Sequence, residues 1–527
     1  MPSLLHLPPD LHLHILAYLH HDCLALALTC RTLYRLCDLP TRKRFRRVRV
    51  QPGKNLDRAF DLLLAIIRRP SLGRYVRHLE YQGVVEAHVP YEENPGDREA
   101  ELRDEAGMMG LLQAAVRRAI GVDENSADAD ADDEKTKLAA QVLNMLMQSS
   151  EQRNKGDWNY TYRGMHGIFV VQAVAALLVS VAPNLESMAL VQPFFNYTGF
   201  YHTEGRFADQ SRVAFPLDYV LRRANGEGDA TPFLRQLRRV YVINAGRGWM
   251  DDERFYTSMD FLGMFALVDR LPAIETVSTD VLCEDENGKS GLEPNSSNIS
   301  RIHINHSAVD TMYLASVICA CKSLRELQFS LGGRASSDGS SSMENPKTFL
   351  QTLLLHRETL EVLDVDFEAN ISEFWNDDDE DTEPDFDTYG GRSEAQHSWT
   401  GAPPDELWEQ KGSLRDFTSM THVSLGLKTL LYMAKGVNLT EPSDFKLADH
   451  LPPNLEYLLI RGYERGHRKD HDEHIDGVLS LKKSESSKLR EIRGIDESIP
   501  HAEDVDDPDD ESAPLWEWEE QEWSEDE

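Results

Sequence analysis

The stretch LRELQF, Leu324–Phe329, contains the pattern that predicts the fold of this 527-residue chain. Apolar side chains stand at its first, fourth and sixth positions, and a polar side chain separates the last two. Such alternation predicts a short β-strand with one buried face, and the first apolar residue fits the turn that enters it. Further copies of this template begin at Val76, Leu185, Leu237, Ile274, Ile299, Leu360, Met420 and Leu455, and an incomplete copy with Gly494 at its sixth position begins at Leu489.

Helical patterns precede most of these predicted strands. The clearest helical stretches cover residues 60–68, 168–181, 259–270, 311–320 and 348–356. A helix, a tight turn and a strand, repeated along a chain, form the unit of a leucine-rich-repeat solenoid. Successive templates begin 25 residues apart twice and otherwise 34 or more, which predicts long and divergent repeats. The alternative is an ordinary α/β core with a doubly wound sheet, but the repeated strand template favours the solenoid.

The opening of the chain has a different pattern, LPPDLHLHILAYLHHDCLALALTCRTLYRLC over residues 7–37. Apolar residues recur there at helical spacing, and polar or proline-containing breaks predict three short helices. Helices this short cannot bury all of their apolar side chains among themselves. The surplus must pack either on the rest of this chain, as a helical cap, or on another protein.

These opening residues resemble an F-box, the module that docks onto the small Skp-type adaptor of cullin–RING ubiquitin ligases. The resemblance covers about residues 4–40 and is carried by Leu7-Pro8, Asp10-Leu11, Ile15-Leu16, Leu19, Asp22, Leu24, Leu28 and Arg31. It departs from the usual pattern in a shorter loop after the first helix and in Leu33-Tyr34, where a tryptophan is common. The resemblance implies an adaptor-binding surface made by Leu7, Pro8, Leu11, Ile15, Leu16, Leu19, Leu24 and Leu28.

The chain as a whole resembles the fungal F-box proteins that carry degenerate leucine-rich repeats. The expected fold class is α/β, a small all-α F-box followed by an irregular leucine-rich-repeat-like solenoid. We expect an F-box over 1–45, the solenoid over 46–495 and a disordered acidic tail over 496–527. The resemblance implies a non-catalytic substrate-recognition subunit of an SCF ubiquitin ligase, which holds an unknown protein substrate. The alternative is a repeat scaffold that takes no part in ubiquitination.

Long insertions follow the predicted strands, whereas the links from helix to strand are short. Loops at equivalent positions of a solenoid emerge on one face, so we expect a recognition rim at the carboxyl ends of the strands. Two of these loops carry the aromatic and arginine residues that are typical of protein interfaces. The predicted target-binding residues are Phe194, Phe195, Tyr197, Arg247, Trp249, Phe255 and Tyr256. The alternative for each one is that it packs beneath its loop and holds the loop down.

The formal net charge of -35 is distributed unevenly. Acidic residues crowd into 123–134, into the insertion 373–413 and into the tail 496–527, and such runs predict disorder because they bury too little surface to offset their ordering entropy. Tryptophans at 516, 518 and 523 interrupt the tail, a pattern that also fits a linear motif folding on a basic partner. So acidic a surface argues against a nucleic-acid backbone as partner.

Motifs of catalysis are missing from the sequence, which contains no G-x-S-x-G elbow, P-loop or paired CxxC site. His467, His471 and His474 form a metal-like cluster with two aspartates, and on a helix they would share a face. Their glycine-rich and charged surroundings indicate a solvated loop instead. We expect no metal and no other cofactor, and a metal-dependent hydrolase is the more remote alternative.

Three sequence features indicate in which compartment the protein lies and whether it contacts a membrane. Six cysteines are too few for a disulfide framework and favour a reducing compartment. The longest apolar stretch, 168–182, is shorter than the roughly 20 residues that cross a bilayer, and no signal-peptide pattern precedes the first apolar run. We expect a cytoplasmic or nuclear protein without membrane contact. The basic run 42–49 fits either a nuclear-import signal or a first strand leading into the solenoid.

Overall fold

The computed structural model has a short helical region at the N-terminus, followed by an α/β body that contains a large parallel sheet. The structure describes residues 7–8, 11–12, 15–16, 23–52, 54–83, 102, 107–122, 129–148, 165–194, 215–227, 231–244, 256–284, 291–334, 344–371, 391–392, 403–437, 445–485 and 487–502. Its helices are α1 (Cys23–Ala27), α2 (Arg31–Cys37), α3 (Leu39–Arg46), α4 (Lys54–Arg68), α5 (Met108–Ile120), α6 (Ala129–Leu146), α7 (Met165–Val181), α8 (Pro216–Glu227), α9 (Phe261–Phe265), α10 (Thr311–Ala320), α11 (Pro346–Leu354), α12 (Asp405–Trp408), α13 (Leu427–Lys435) and α14 (Lys469–Lys482). Its strands are β1 (Arg47–Val50), β2 (His78–Tyr81), β3 (Ser187–Leu190), β4 (Arg239–Val242), β5 (Thr257–Met259), β6 (Thr276–Asp280), β7 (Leu282–Glu284), β8 (Arg301–Asn305), β9 (Glu326–Ser330), β10 (Val362–Asp366), β11 (His422–Gly426), β12 (Tyr457–Arg461) and β13 (Glu491–Arg493). Short 3-10 helices cover Pro70–Tyr75, Glu368–Asn370, Leu414–Asp416 and Leu447–Asp449.

The main sheet joins eleven of the described strands in the order β1-β2-β3-β4-β6-β8-β9-β10-β11-β12-β13. Every neighbouring pair is parallel. Strands β5 and β7 form a separate two-stranded parallel pair. A doubly wound sheet reverses its strand order at a switch point, whereas the described strands follow one another without reversal.

The strand template of the sequence predicts the register of the main sheet. The fourth position of each template pairs with the fourth position of the next, as in Leu79 with Met188 and Leu327 with Leu363. The resulting row across the sheet contains Val48, Leu79, Met188, Val240, Val277, Ile302, Leu327, Leu363, Val423, Leu458 and Ile492. All of these side chains are buried except the half-buried Ile492. Because side chains in equivalent positions of paired strands point to the same side, this row lies on one face of the sheet. Its burial indicates that this is the face that the helices cover.

The basic run 42–49 is divided between a helix and a strand. Asp38 has a positive φ of 46° and ends α2, and Pro40 then lies in the first turn of α3, where its missing N–H is tolerated. The sequence pattern does not predict this additional helix, because Asp38-Leu39-Pro40 is typical of the end of a helix. The first strand is confirmed at Arg47–Val50, and Phe45, Val48 and Val50 supply another copy of the template.

A buried helix, α7, organises the helices over the first strands. Residues 168–179 of α7 are all buried, and the helix contacts α4, α5, α6 and α8. Its single buried amide is satisfied at both ends, since Gln172 donates to the Pro193 carbonyl oxygen at 2.8 Å and accepts from the Leu217 N–H at 3.0 Å. Of the predicted helices, only 259–270 is much shorter, with α9 ending at Phe265. No helix in the described part of the chain is both long and apolar enough to span a bilayer.

Parts of the segments predicted to be disordered are ordered. Helix α6 begins at Ala129, inside the acidic stretch 123–134. Helix α12 lies inside the insertion 373–413, and its Leu407 is buried against Ala315 and Cys319. Within the predicted tail, Ile499, His501 and Ala502 make hydrogen bonds to the body. Residues 123–128 and 503–527 lie outside the described residues.

Candidate functional site

The N-terminal helices have a small core of their own. Leu16, Cys23, Ala27 and Cys37 are buried together, and partly buried leucines pack around them. Burial raises the pKa of the Cys37 thiol, so this side chain acts as an apolar packing residue. The structure therefore places Leu16 beneath the predicted adaptor-binding surface and not on it.

Exposed apolar side chains are concentrated in the same region. The described residues include four large hydrophobic side chains that are exposed, Leu11 at 48 %, Leu28 at 75 %, Tyr34 at 51 % and Leu111 at 48 %. Three of the four belong to the N-terminal region, with Leu28 in the turn after α1. A contiguous patch of exposed apolar side chains is a common feature of protein-binding surfaces.

The remaining predicted adaptor-binding residues differ in exposure. Pro8 is exposed, and Leu7 and Ile15 are half-buried. Leu19 lies outside the described residues, and so does the side chain of Leu24. The described residues thus place part of the predicted set at the surface and Leu16 in the interior.

Helix α3 attaches this region to the body. Phe45 is buried in the main core, and β1 begins directly after the helix. The Arg42 guanidinium lies over the Tyr75 ring, with its carbon 4.7 Å from the ring centroid, and its Nε donates to the Cys37 carbonyl oxygen at 2.7 Å. A cation over an aromatic face and a charge-assisted hydrogen bond together connect α2, α3 and the turn before β2.

The predicted target-binding residues that the structure describes are buried. Phe194 belongs to the main core, and the Arg222 guanidinium lies over its ring, 5.7 Å from the centroid. Tyr256 is also buried, and its hydroxyl donates to the Gly332 carbonyl oxygen. These two aromatics fit the alternative in which such residues hold the loops down. Phe195, Tyr197, Arg247, Trp249 and Phe255 lie outside the described residues.

The face of the main sheet opposite the helices, here called the polar face, is formed by the third and fifth template positions. Its third-position row contains Arg47, His78, Ser187, Arg239, Thr276, Arg301, Glu326, Val362, His422, Tyr457 and Glu491. Side chains on adjacent strands bond across this row, as in His78 with Ser187 at 2.7 Å and Arg301 with Glu326 at 3.4 Å.

The β1–β8 end of the polar face is basic. His78 shows this electrostatically, because its pKa is lowered to about 3 by burial and by the surrounding cations of Arg46, Arg47, Arg239 and Arg77. Its imidazole is therefore neutral at physiological pH. The arginines of this basic end stand at polar positions of the template, which the apolar pattern of the template does not predict.

The β10–β12 end of the polar face is acidic and already paired. Arg461 Nη2 donates to Asp364 at 3.1 Å and to the Ser424 hydroxyl at 3.2 Å. Asp366 accepts from the Ala502 N–H at 2.6 Å and lies 2.8 Å from His501 Nδ1. The last described residues therefore lie against the polar face at the carboxyl end of β10.

A buried carboxyl, Glu368, follows this acidic end of the sheet. Glu368 accepts from the Thr429 N–H at 2.9 Å and from the Thr429 hydroxyl at 3.0 Å. Burial raises the pKa of its carboxyl group, and its hydrogen bonds join β10 to the start of α13. Gly426 permits this contact, because a Cβ there would lie 2.2 Å from the Glu368 carboxyl oxygen.

The histidine cluster does not assemble as a metal site. His471 and His474 lie on α14, whereas His467 precedes it, and the His474 ring packs edge-on to Phe445 at 5.3 Å. Among the described residues, no group of three or more His, Cys, Asp or Glu side chains is arranged to hold a metal ion. Burial raises the pKa of the Cys319 thiol to about 12, which disfavours the nucleophilic thiolate there.

Comparison with protein families matches residues 4–47 to the model described as F-box-like. The N-terminal region is F-box-like. The match covers the helices with the exposed apolar side chains, continues through α3 and ends at the first residue of β1. It supports an F-box protein, and F-box domains typically bind Skp-type adaptors within cullin–RING ligases. A comparison with curated proteins finds no match.

Tyr34 belongs to the exposed set of the F-box-like region but not to the residues predicted from the resemblance. Leu33-Tyr34 stands where a tryptophan is common in the F-box pattern, so the sequence points to a large side chain at this place. In α2, Leu33 is buried and Tyr34 is exposed, so the second of the two residues faces solvent. An amphipathic aromatic side chain is a frequent anchor of protein interfaces.

Proposed function

We propose that this chain is the substrate-recognition subunit of an SCF-type ubiquitin ligase. The observation that carries the proposal is the exposure of Leu11, Leu28 and Tyr34 within the F-box-like region. A helical cap on the body would bury such residues against it, whereas a docking module presents them to a partner.

The adaptor-binding surface proposed here centres on Leu11, Leu28 and Tyr34. Pro8 extends this surface, and Leu7, Ile15, Leu19 and Leu24 complete the predicted set. Leu16 supports it from beneath, since it is buried with Cys23 and Cys37. The receptor catalyses no bond change itself. It raises the effective concentration of target lysines beside the ubiquitin-conjugating enzyme that the cullin recruits.

The body is proposed to be a degenerate leucine-rich-repeat solenoid of the kind found in fungal F-box proteins. Two features support this proposal, the strand order without reversal and the recurrence of one template in register across the sheet. The unit of such a solenoid contacts mainly its two neighbours, which is the pairing that the described strands show. The proposal places the chain in the cytoplasm or nucleus, where cullin–RING ligases act.

The target protein is proposed to bind on the polar face and on the loops at the carboxyl ends of its strands. Phe195, Tyr197, Arg247, Trp249 and Phe255 are the proposed contacts from these loops. Phe194 and Tyr256 are buried, so their proposed role is to position the loops. Loops on a rigid scaffold commonly carry recognition.

Co-purification with a Skp-type adaptor tests the docking surface. The variant carries Leu11→Ala, Leu28→Ala and Tyr34→Ala, and the matched control is Leu111→Ala, an equally exposed leucine outside the F-box-like region. We expect wild type and the control to retain the adaptor and the triple variant to lose at least tenfold in affinity, with unchanged circular dichroism. Equal retention by the triple variant, or no binding by wild type, would reject the proposal.

The alternative of a repeat scaffold makes a different prediction in a reconstituted ligase. A scaffold binds the adaptor or a target but supports no ubiquitin transfer to the protein that it holds. Purified chain, adaptor, cullin–RING core and a captured target, supplied with ubiquitin and its activating enzymes, distinguish the two functions. Modification of the target that depends on Leu28 supports the receptor, and adaptor binding without any modification supports the scaffold.

A further inference from the structure

The polar face carries a line of arginines, here called the arginine strip, at the first residues of β1, β4 and β8. Arg47, Arg239 and Arg301 occupy the same register row, with His78, Ser187 and Thr276 on the strands between them. Arg239 is exposed, Arg301 keeps 41 % of its side chain in solvent, and Arg47 is half-buried. With strands about 4.8 Å apart, the strip is about 24 Å long, and the next residue of its row, Glu326 of β9, pairs with Arg301 at 3.4 Å.

The chain leaves its described part on this same face. Ala502 and His501 both contact Asp366, whose side chain alternates with the buried Val365 and so points away from the helices. The Gly462 N–H donates to the Ile499 carbonyl oxygen at 2.9 Å, which fixes the approach to this point. The following residues therefore start at β10, two strand positions from β8.

The segment beyond Ala502 complements the arginine strip in charge. Residues 503–527 contain fourteen Asp and Glu, no Lys or Arg, and three tryptophans. Twenty-five residues reach at most about 80 Å when extended. From β10 the strip begins two strand spacings away and ends seven away, and Asp366 lies four residues beyond the row of the strip along its strand, so the far end is about 36 Å away. The segment is long enough to cover the whole strip.

The charges near the exit point direct an acidic segment towards β8. Asp364 and Asp366 already engage Arg461, and Glu368 lies buried beside them, so this end of the face repels further carboxylates. On the other side, Arg493 of β13 pairs with Glu491 of its own strand at 3.5 Å. The arginine strip is the extended line of cations that the described part of the polar face offers to such a segment.

We propose that residues 503–527 dock across the polar face onto the arginine strip, so that the protein covers this face with its own tail. Individual ion pairs at exposed positions are weak and salt-sensitive, but attachment at Ala502 supplies a high effective concentration. The docked tail does not depend on the proposed function. Its consequence does, because a target bound on the polar face would then have to displace the tail.

Zero-length cross-linking of the full chain with a carbodiimide tests the contact, because this reagent joins a lysine amine only to a carboxylate that touches it. Arg47→Lys, Arg239→Lys and Arg301→Lys, made singly, keep the charge of the strip and introduce the amine. Arg357→Lys is the matched control. Arg357 is exposed in the turn before β10, the strand that the last described residues contact. Circular dichroism confirms that each variant is folded.

We expect each strip position to cross-link to carboxylates of residues 503–527 at least fivefold more than position 357. The cross-links should lie within one molecule, as measured on an equal mixture of ¹⁴N- and ¹⁵N-labelled protein, and should disappear in about 1 M salt, where the Debye length is about 3 Å. Equal cross-linking at position 357, links only between molecules, or none at all would overturn the proposal.

A measurement on the unmodified protein keeps the test independent of the variants. The maximum dimension from small-angle X-ray scattering should increase when salt is raised from about 50 mM to about 1 M, because the released tail extends into solvent. An unchanged dimension would contradict docking. No adaptor or ligase is present in either experiment, so neither result depends on the function proposed above.

Discussion

His78 shows how one residue reports on its surroundings in the polar face. Its Nδ1 lies 2.7 Å from the Ser187 hydroxyl, and burial together with four neighbouring arginines lowers its pKa from 6.5 to about 3. An unfolded chain leaves histidine near its ordinary pKa. The unfolded state therefore binds more protons than the folded state between these two values.

The sign of the resulting pH dependence follows directly. Stability that depends on neutral His78 is present above pH 6.5 and decreases as the pH falls towards 3, by up to about 1.4 kcal/mol per pH unit. We expect His78→Gln to show a shallower loss of unfolding free energy between pH 7 and 5 than wild type, measured by urea denaturation. His422→Gln, at an exposed position of the same row, is the control and should keep the wild-type slope. A wild-type slope in His78→Gln would contradict this account.

At the scale of single elements, the end of strand β13 shows why the template that begins at Leu489 is incomplete. Strand β13 ends at Arg493, and Gly494 takes the sixth position with a φ of 83°. A Cβ at Gly494 would lie 1.8 Å from the Ile460 carbonyl oxygen of β12. The glycine is therefore required by close approach of two backbones and by its left-handed conformation, not by a weakened repeat.

Restoring the template at Gly494 should destabilise the protein. Gly494→Val supplies the missing apolar residue, but it introduces both a backbone clash and an unfavourable φ, so we expect a loss of more than about 2 kcal/mol in unfolding free energy. Gly466→Ala is the matched control, because Gly466 has a φ of 88° but a Cβ added there would meet no described atom within 4 Å. It should lose about 1 kcal/mol. A more stable Gly494→Val would show that the template alone determines this turn.

For the molecule as a whole, α3 is the part of the F-box-like region that joins the core of the body. Phe45 of α3 is buried in the same cluster that continues to Leu489, whereas the core around Leu16 is separate and small. Unfolding of α3 should therefore be coupled to unfolding of the first strands. This coupling would fix the proposed adaptor-binding surface relative to β1.

Truncation of Phe45 tests this coupling. We expect Phe45→Ala to lose about 3–5 kcal/mol and to lower the midpoint of the body's unfolding transition, followed by far-ultraviolet circular dichroism during denaturation. Tyr34→Ala, an exposed aromatic in the preceding helix, should change stability by less than about 0.5 kcal/mol. An unchanged body transition in Phe45→Ala would mean that the two regions unfold independently.

The strands and their register could be predicted from sequence because they depend on local alternation that is repeated many times. Leu327 and Leu363 occupy equivalent template positions, and the sheet pairs them directly. Long-range contacts left no such local signal. Nothing in the tail sequence indicates that His501 contacts Asp366. An aromatic residue such as Phe194 gives the same sequence signal whether its side chain holds a loop down or binds a partner. The exposed Leu28 and the buried Leu16 are likewise distinguished only by packing.

The unreversed strand order has a consequence for how such a molecule can change its size. Each interior strand of the main sheet is bonded only to its predecessor and its successor in that sheet. Adding or deleting one helix-and-strand unit would leave every other pairing intact and would lengthen or shorten the polar face by about 4.8 Å. The length of the polar face can therefore change by whole units while the core of the remaining units keeps its packing.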